Sequence, residues 1–340
     1  MSPKIKLNLL VFELTDACNQ QCKFCYNHWK GLDESPDTII SDYSKANKVL
    51  KKVFLQAEVS SISLSGGEPM LFPRIHDLIL TARFNKSQVS VLTNGTLLTD
   101  FDLQTFQQLG VHRLQIPILS SNSAIHDKLT QLPGTWEKCV TTAKKILSIT
   151  PEKFNAVLVL TKANLVGLEE TLDFLKELGV KTVLVNRFNI GGLGRKFKDE
   201  LELTHEELNE AYTIINKFAS DNNIRFHSGV CTPICVLNPA HFPHISFTFC
   251  NTDVSVRPIT INHQGDVRFC NHSPRILGNV FEKPLHDILY SDGFSAYFNT
   301  VPEFCASCQL LEKCKGGCRA ASEQVYKTFS RVDPVIENSK

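Results

Sequence analysis

Residues 17–26 read Ala-Cys-Asn-Gln-Gln-Cys-Lys-Phe-Cys-Tyr, which puts Cys18, Cys22 and Cys25 within eight residues. Three thiols on one loop are one short of the four that complete a ligand set on zinc or on a four-iron cluster. The deficit carries information, because a metal left one protein ligand short can accept a cofactor or substrate. The competing reading is a structural zinc whose fourth ligand comes from elsewhere, with His28 as the nearest candidate. Just before the loop, residues 6–14 form a short run rich in Leu and Val, as a strand buried on both faces should be. The thiols therefore sit at the exit of a first strand.

Outward from that loop, strand-like and helix-like stretches alternate to about residue 190. Further strands are expected at 59–65, 88–93, 112–119, 155–161 and 182–186, and amphipathic helices at 41–56, 73–84, 100–109, 135–148 and 167–178. Thr99 or Asp100 can cap the third helix, and Gly110 and Gly179 sit just past helix ends. Six strands alternating with helices imply a parallel sheet, which can curl into a full or partial barrel or stay open and doubly wound. In either case chemistry collects at the carboxyl ends of the strands. Three features fall there: the cysteine loop, Ser65–Pro69 after the second strand and Thr93–Thr96 after the third. A glycine-rich exit (Gly191, Gly192, Gly194) and a helix over 204–220 capped by Thr204 follow; from about 224 the alternation stops. The expected organisation is an α/β barrel unit over 1–222 and a small cysteine-rich α+β unit over 223–340, poor in apolar core and stapled by metal.

Composition narrows the function. Of 340 residues, 42% are apolar and 21% charged, as in an ordinary globular chain. Lys+Arg 36 against Asp+Glu 35 leaves a net charge of +1, so no global basic field draws the chain to nucleic acid or to anionic lipid. No apolar run approaches the roughly 18–20 residues of a membrane helix, and the start of the chain lacks the layout of a secretion signal. A cytoplasmic protein with neither membrane nor nucleic-acid partner is expected. Twelve cysteines are then too many for packing alone. Cytosolic thiols stay reduced, so metal or redox chemistry is the leading explanation.

The segment Ser65-Gly66-Gly67-Glu68-Pro69 sharpens this. Its glycines permit close backbone approaches, while Glu68 and exposed peptide groups suit a ligand's amino group. With Cys-x3-Cys-x-aromatic-Cys at Cys18, Cys22, Phe24 and Cys25, the chain resembles the radical S-adenosylmethionine (radical SAM) enzymes. The alternation to about residue 190 agrees with that family's partial (βα)6 barrel. The resemblance implies a [4Fe–4S] cluster on Cys18, Cys22 and Cys25 whose open iron chelates the amino and carboxylate groups of S-adenosylmethionine. It also implies contact of Gly66, Gly67, Glu68 and Pro69 with the methionine amine, and backbone at Phe24 near the adenine. One-electron reduction of the sulfonium would release methionine and a 5′-deoxyadenosyl radical. Thr93-Asn94-Gly95-Thr96 matches the third-strand exit near the cofactor, and His126-Asp127 matches a common dipeptide of the family. Ser120 stands where many relatives carry aspartate, and is expected at the ribose or carboxylate. Arg187, ending the sixth strand, either points to the same rim or belongs to a structural ion pair.

The last third carries Cys305-x2-Cys308-x5-Cys314-x3-Cys318, preceded by Cys250-x14-Gly265-x4-Cys270. Residues 257–261 and 266–270 read as a hairpin about the turn Asn262-His263-Gln264-Gly265. On spacing alone, one or two structural zinc sites fit equally well. The spacings resemble the SPASM extension of radical SAM enzymes, which binds two auxiliary [4Fe–4S] clusters. Carried over, Cys250, Cys270 and Cys318 hold the first with Cys235, preferred over Cys231. Cys305, Cys308 and Cys314 hold the second, whose fourth ligand is left among Asp333, Glu337, Cys231 or an open iron. Cys139, on a helix-like stretch, reads as a packing residue.

By this resemblance the chain is a radical SAM oxidoreductase or maturase acting on a peptide or protein, the auxiliary clusters taking up the electron that an oxidative outcome releases. A low-potential donor of the flavodoxin or ferredoxin type is implied. Only 17 residues precede Cys18, so leader binding is expected to need a separate protein or the carboxyl-terminal surface. The alternatives are a small-molecule substrate such as a tetrapyrrole side chain, and a zinc-stapled binding module without catalysis.

Overall fold

The computed structural model describes residues 4–30 and 42–338. Eleven strands form one sheet: β1 (Ile5–Glu13), β2 (Ala57–Ser65), β3 (Gln88–Leu92), β4 (Arg113–Pro117), β5 (Phe154–Leu160), β6 (Thr182–Arg187), β7 (Arg225–Ser228), β8 (Ile245–Phe247), β9 (Pro258–Asn262), β10 (Asp266–Arg268) and β11 (Ile276–Asn279). Their order is β11-β10-β9-β1-β2-β3-β4-β5-β6-β7-β8. From β1 to β8 spatial order follows chain order and every pair is parallel. There is no reversal of the kind that defines an open doubly wound sheet, so the crossover helices share one face and the sheet curls into a partial barrel.

The helices form where apolar spacing and capping agree. Tyr43–Gln56 buries Ala46, Val49, Leu50, Val53 and Phe54, a 3–4 repeat that lays one face on the sheet. Asp42 caps it by accepting from Ser44 N; Ser41, where the sequence reading began this helix, lies outside the described residues. Thr99 and Asp102 exchange hydrogen bonds in a capping box at the start of Asp100–Gln108, and Thr204 with Glu207 does the same for His205–Asp221.

The described residues beyond 222 add their strands to the same sheet. β7 and β8 extend the parallel run past β6, and the chain then returns to the other edge, where β9 pairs in parallel with β1. The hairpin β9–β10 matches the sequence expectation, and β11 is added antiparallel to β10. β1 thus has parallel neighbours on both sides, β2 and β9.

A buried ion pair bolts these parts together. Arg268 on β10 and Glu13 at the end of β1 are 1% and 2% exposed, and Arg268 Nη2 donates to Glu13 Oε2. Arg268 Nη1 donates to Ser273 O at 2.8 Å and meets His28 Nδ1 at 2.9 Å. Burial, and then the Arg268 charge, lowers the His28 pKa to about 3, so the ring is neutral and can accept this bond. His28 is therefore committed to Arg268 and does not serve as a fourth ligand to the cysteine loop. Arg268→Met would leave the Glu13 carboxylate buried and uncompensated, a loss of about 3–5 kcal/mol. An anaerobic thermal melt should show a markedly lower midpoint for Arg268→Met, partly restored by adding Glu13→Gln. A wild-type midpoint would mean that the bolt contributes nothing.

Candidate functional site

The loop after β1 is gripped from several sides. Lys23 N donates to Leu129 O at 2.8 Å, Gly194 N donates to Cys25 O at 3.1 Å, and Asn27 Nδ2 donates to Gly66 O at 2.9 Å. Phe24 packs against Leu119, Leu129, Phe188, Ile190 and Leu201. Cys18, Cys22 and Cys25 are brought together at the rim, each half-buried. Burial raises the Cys22 thiol well above its usual range, and the nearby Cys25 and Cys18 raise it further. Burial raises Cys25 as well. Lys30 opposes both shifts; its ammonium is held at 2.7 Å by Gln20 O. Cys22 and Cys25, crowded together with Lys30 for compensation, need added positive charge to ionise, which a bound iron–sulfur cluster provides. The donor set fits such a group.

The exit of β2 is zipped alongside this loop. Leu14 N donates to Ser65 O at 2.9 Å, Gly67 N to Thr15 O at 2.6 Å, and Glu68 N to Ala17 O at 2.8 Å. A Cβ on Gly67 would collide with the carbonyl of Ala17, and one on Gly66 with that of Thr15, at φ +127°. The two glycines are what let the second exit lie against the first. Glu68 is buried and accepts three hydrogen bonds: Oε1 from Met70 N at 3.0 Å and Thr93 Oγ1 at 2.6 Å, Oε2 from Asn94 N at 2.7 Å. The carboxylate clamps the exits of β2 and β3, while Pro69 opens the short turn Pro69–Leu71. Asn94 bonds Asn19 Oδ1 through Nδ2 at 2.7 Å and accepts from Thr96 N at 3.0 Å. Its amide fixes the third exit to the cysteine loop.

Two other expected residues lie inside the fold. Ser120 is fully buried; its hydroxyl accepts from Asn122 N at 3.1 Å and shapes the exit of β4. Arg187 makes a structural ion pair. Nη2 pairs with Asp333 and Nε donates to Thr232 Oγ1 at 3.2 Å, all within the interior. Asp127 accepts from Gly134 N, Thr135 Oγ1 and Trp136 N, capping the helix Thr135–Ile149. Asp127 is therefore structural here, and His126 Nδ1 accepts from Leu119 N at 3.3 Å. Cys139 is buried, as a packing residue should be, and its thiol donates to Asn94 O at 2.9 Å.

Eight cysteines after residue 222 fall into two groups. Cys231 and Cys250 share a hydrogen bond that holds Cys250 toward the thiolate and Cys231 toward the thiol. Cys318 and Cys270 lie within electrostatic reach of Cys231. Cys235, the residue expected to join this group, sits instead with Cys305, Cys308 and Cys314. Arg257 and Arg319 bias Cys250 further toward the thiolate, and the Nε atoms of both guanidiniums are buried without a partner among the described residues. Orphaned cationic donors beside four thiols suit an anionic, cysteine-ligated cluster. Phe269 and Tyr297, stacked at 3.8 Å, wall the group with Phe294 and Phe298.

A polar bridge, which sequence reading missed, joins the first loop to this group. Tyr26, next to Cys25, stacks on His272 at 3.9 Å and accepts from Asn271 Nδ2 at 2.6 Å. Gln324 Nε2 donates to both Tyr26 O and His272 O, and Asn189 Nδ2 donates to Cys318 Sγ at 3.4 Å. The only sequence signal was adjacency: Tyr26 follows Cys25, and His272 lies two residues past Cys270.

Comparison with known proteins agrees with this geometry. The radical SAM superfamily model matches residues 12–175, and that of SPASM, an iron–sulfur cluster-binding domain, matches 250–316. The chain carries a radical SAM domain and a SPASM domain. It is an enzyme of the oxidoreductase or maturase type carrying a SPASM domain, and its two domains imply [4Fe–4S] clusters and S-adenosylmethionine as cofactors. It is 23% identical over 346 residues to PqqA peptide cyclase of Gluconobacter oxydans, covering 97% of this chain and 90% of that protein. It is 24% identical over 356 residues to AdoMet-dependent heme synthase of Nitratidesulfovibrio vulgaris, covering 98% and 92%. Among solved structures, Streptococcus suis SuiB bound to its precursor peptide SuiA superposes with a TM-score of 0.74 at 19% identity, over 98% of this chain and 76% of that one.

Gly67→Ala should push the second exit off the cysteine loop. Anaerobically reconstituted Gly67→Ala is expected to keep its fold by circular dichroism and to lose the S-adenosylmethionine-induced change in the electron paramagnetic resonance (EPR) spectrum. An unaltered spectral response would remove the close approach from the argument.

Proposed function

We propose that the enzyme cleaves S-adenosylmethionine reductively and oxidatively modifies a side chain of a peptide or protein. In this reading Cys18, Cys22 and Cys25 hold the S-adenosylmethionine-binding cluster, residues 1–222 form the catalytic unit, and 223–340 the auxiliary-cluster unit. Held there, the cluster would supply the electron for cleavage of the sulfonium to methionine and a 5′-deoxyadenosyl radical able to remove a hydrogen atom from the substrate. The chain's own residues prepare the place for this. Lys30 offsets part of the thiolate charge, the Gly66-Gly67 approach and the Glu68 clamp fix the rim, and the packed Phe24 side excludes water.

The observation that carries the oxidative reading is the Tyr26–His272 bridge. A substrate radical that becomes a closed-shell oxidised product must give up an electron, and the bridge sets the Cys231, Cys250, Cys270 and Cys318 group beside the loop where that radical arises. The peptide class is supported by two likenesses that span most of the chain, PqqA peptide cyclase by its name and SuiB by its bound peptide. A separate leader-binding protein and a flavodoxin- or ferredoxin-type donor complete the proposal. A second reading, a small molecule such as a tetrapyrrole side chain, is favoured by the likeness to AdoMet-dependent heme synthase.

Reconstituted enzyme given S-adenosylmethionine and a strong reductant without air should form 5′-deoxyadenosine, and Cys22→Ala should form none. No 5′-deoxyadenosine from the wild type, with candidate peptides supplied, would count against the assignment. Incubation with peptide and with tetrapyrrole substrates in parallel, read by mass spectrometry, separates the two classes: loss of two hydrogen masses from a peptide is the expected result.

A further inference from the structure

Cys235, Cys305, Cys308 and Cys314 face one cleft of about 430 Å³. Its remaining walls are apolar, Phe304, Leu311 and Ile336 among them, and among the described residues no carboxylate or imidazole lines it. Cys305 and Cys314 are buried, whereas Cys235 and Cys308 are exposed. Ile234 N, the peptide group beside Cys235, donates to Cys314 Sγ at 3.4 Å and pins Cys235 to the group.

The other candidate ligands are committed elsewhere. Cys231 bonds Cys250. Asp333 Oδ2 accepts from Arg187 and from Cys318 N at 2.7 Å, and its Oδ1 accepts from Val335 N at 3.1 Å. Glu337 pairs with Arg331 at 2.7 Å. Among the described residues no three Cys, His, Asp or Glu side chains close to the spacing of a single metal ion. Four thiols around an apolar cleft are a donor set for a polynuclear centre, one sulfur to each iron.

We propose that Cys235 is the fourth thiolate of the second auxiliary site, which with Cys305, Cys308 and Cys314 holds a [4Fe–4S] cluster that has no open iron. A cluster with all four corners on cysteine has no position for substrate, so the site exchanges electrons. Its exposed corner, Cys235 and Cys308, is where a donor or acceptor protein would come closest. The proposal rests on reading these cysteines as cluster ligands and is independent of substrate class.

The test compares anaerobically reconstituted wild type with Cys235→Ala, Cys308→Ala, Cys231→Ala and the pairwise doubles, read by iron and sulfide content, zinc content and EPR of the reduced proteins. Wild type should hold about 12 irons in three clusters. Cys235→Ala and Cys308→Ala should each lose or alter the same EPR component, and their double should lose no more than either single. Cys231→Ala combined with Cys308→Ala should instead lose two components. Full iron and an unchanged spectrum in Cys235→Ala would overturn the proposal, as would non-additivity of Cys235→Ala with Cys231→Ala. If Cys308→Ala also matched the wild type, or zinc filled the site, the auxiliary-cluster reading itself would fall with it.

Discussion

Arg268 carries one charge into a place where almost nothing else could neutralise Glu13, and the architecture turns on that contact. β1 is the strand from which the first cysteine loop springs, and the guanidinium reaches its carboxyl end from β10. The pair is costly to bury and more costly to break. It earns its place through specificity: the same guanidinium also orders His28 and Ser273, so the loop residues, the strand end and the hairpin take one arrangement together. The Arg187–Asp333 pair repeats this device farther out, tying the end of β6 to the last turn of the chain and to the backbone of Cys318.

The three groups of thiols differ in their surroundings. The first group sits half-buried at the barrel rim, the second is enclosed by stacked aromatic rings, and the third has two of its four thiols in solvent. Each group is matched to its surroundings by different means: one lysine at the rim, two arginines in the interior, water at the edge. Low dielectric strengthens every one of these interactions and also makes an unmatched thiolate prohibitive, so the cation placement is as much a part of the design as the sulfurs.

Much of this was legible in the sequence. The six strands and their helices came within a few residues, because buried parallel strands read as short apolar runs and Thr99 and Thr204 are unambiguous caps. β7 and β8 were not, since four and three residues give no periodicity, and neither was the helix Ser123–Thr130, whose cap Asn122 lies in a serine-rich stretch that reads as loop. The cysteine loop and the Gly-Gly-Glu-Pro segment announced themselves by local spacing. The partition of Cys231 from Cys235 could not: they are separated by three residues, and which group each joins depends on contacts with residues as distant as Cys250 and Cys314. The partner of Arg187 was hidden for the same reason, because it lies 146 residues along the chain.

The pairing of β9 with β1 sets Leu9 against Pro258, two segments at opposite ends of the chain. Contacts of such sequence separation pay their loop-closure entropy before they return anything, and so they form late. During synthesis the barrel strands can assemble while one edge of β1 is still bare. That edge is covered only when the hairpin arrives and Arg268 finds Glu13, so the strand that carries the cysteine loop is the last of the barrel to gain both its neighbours.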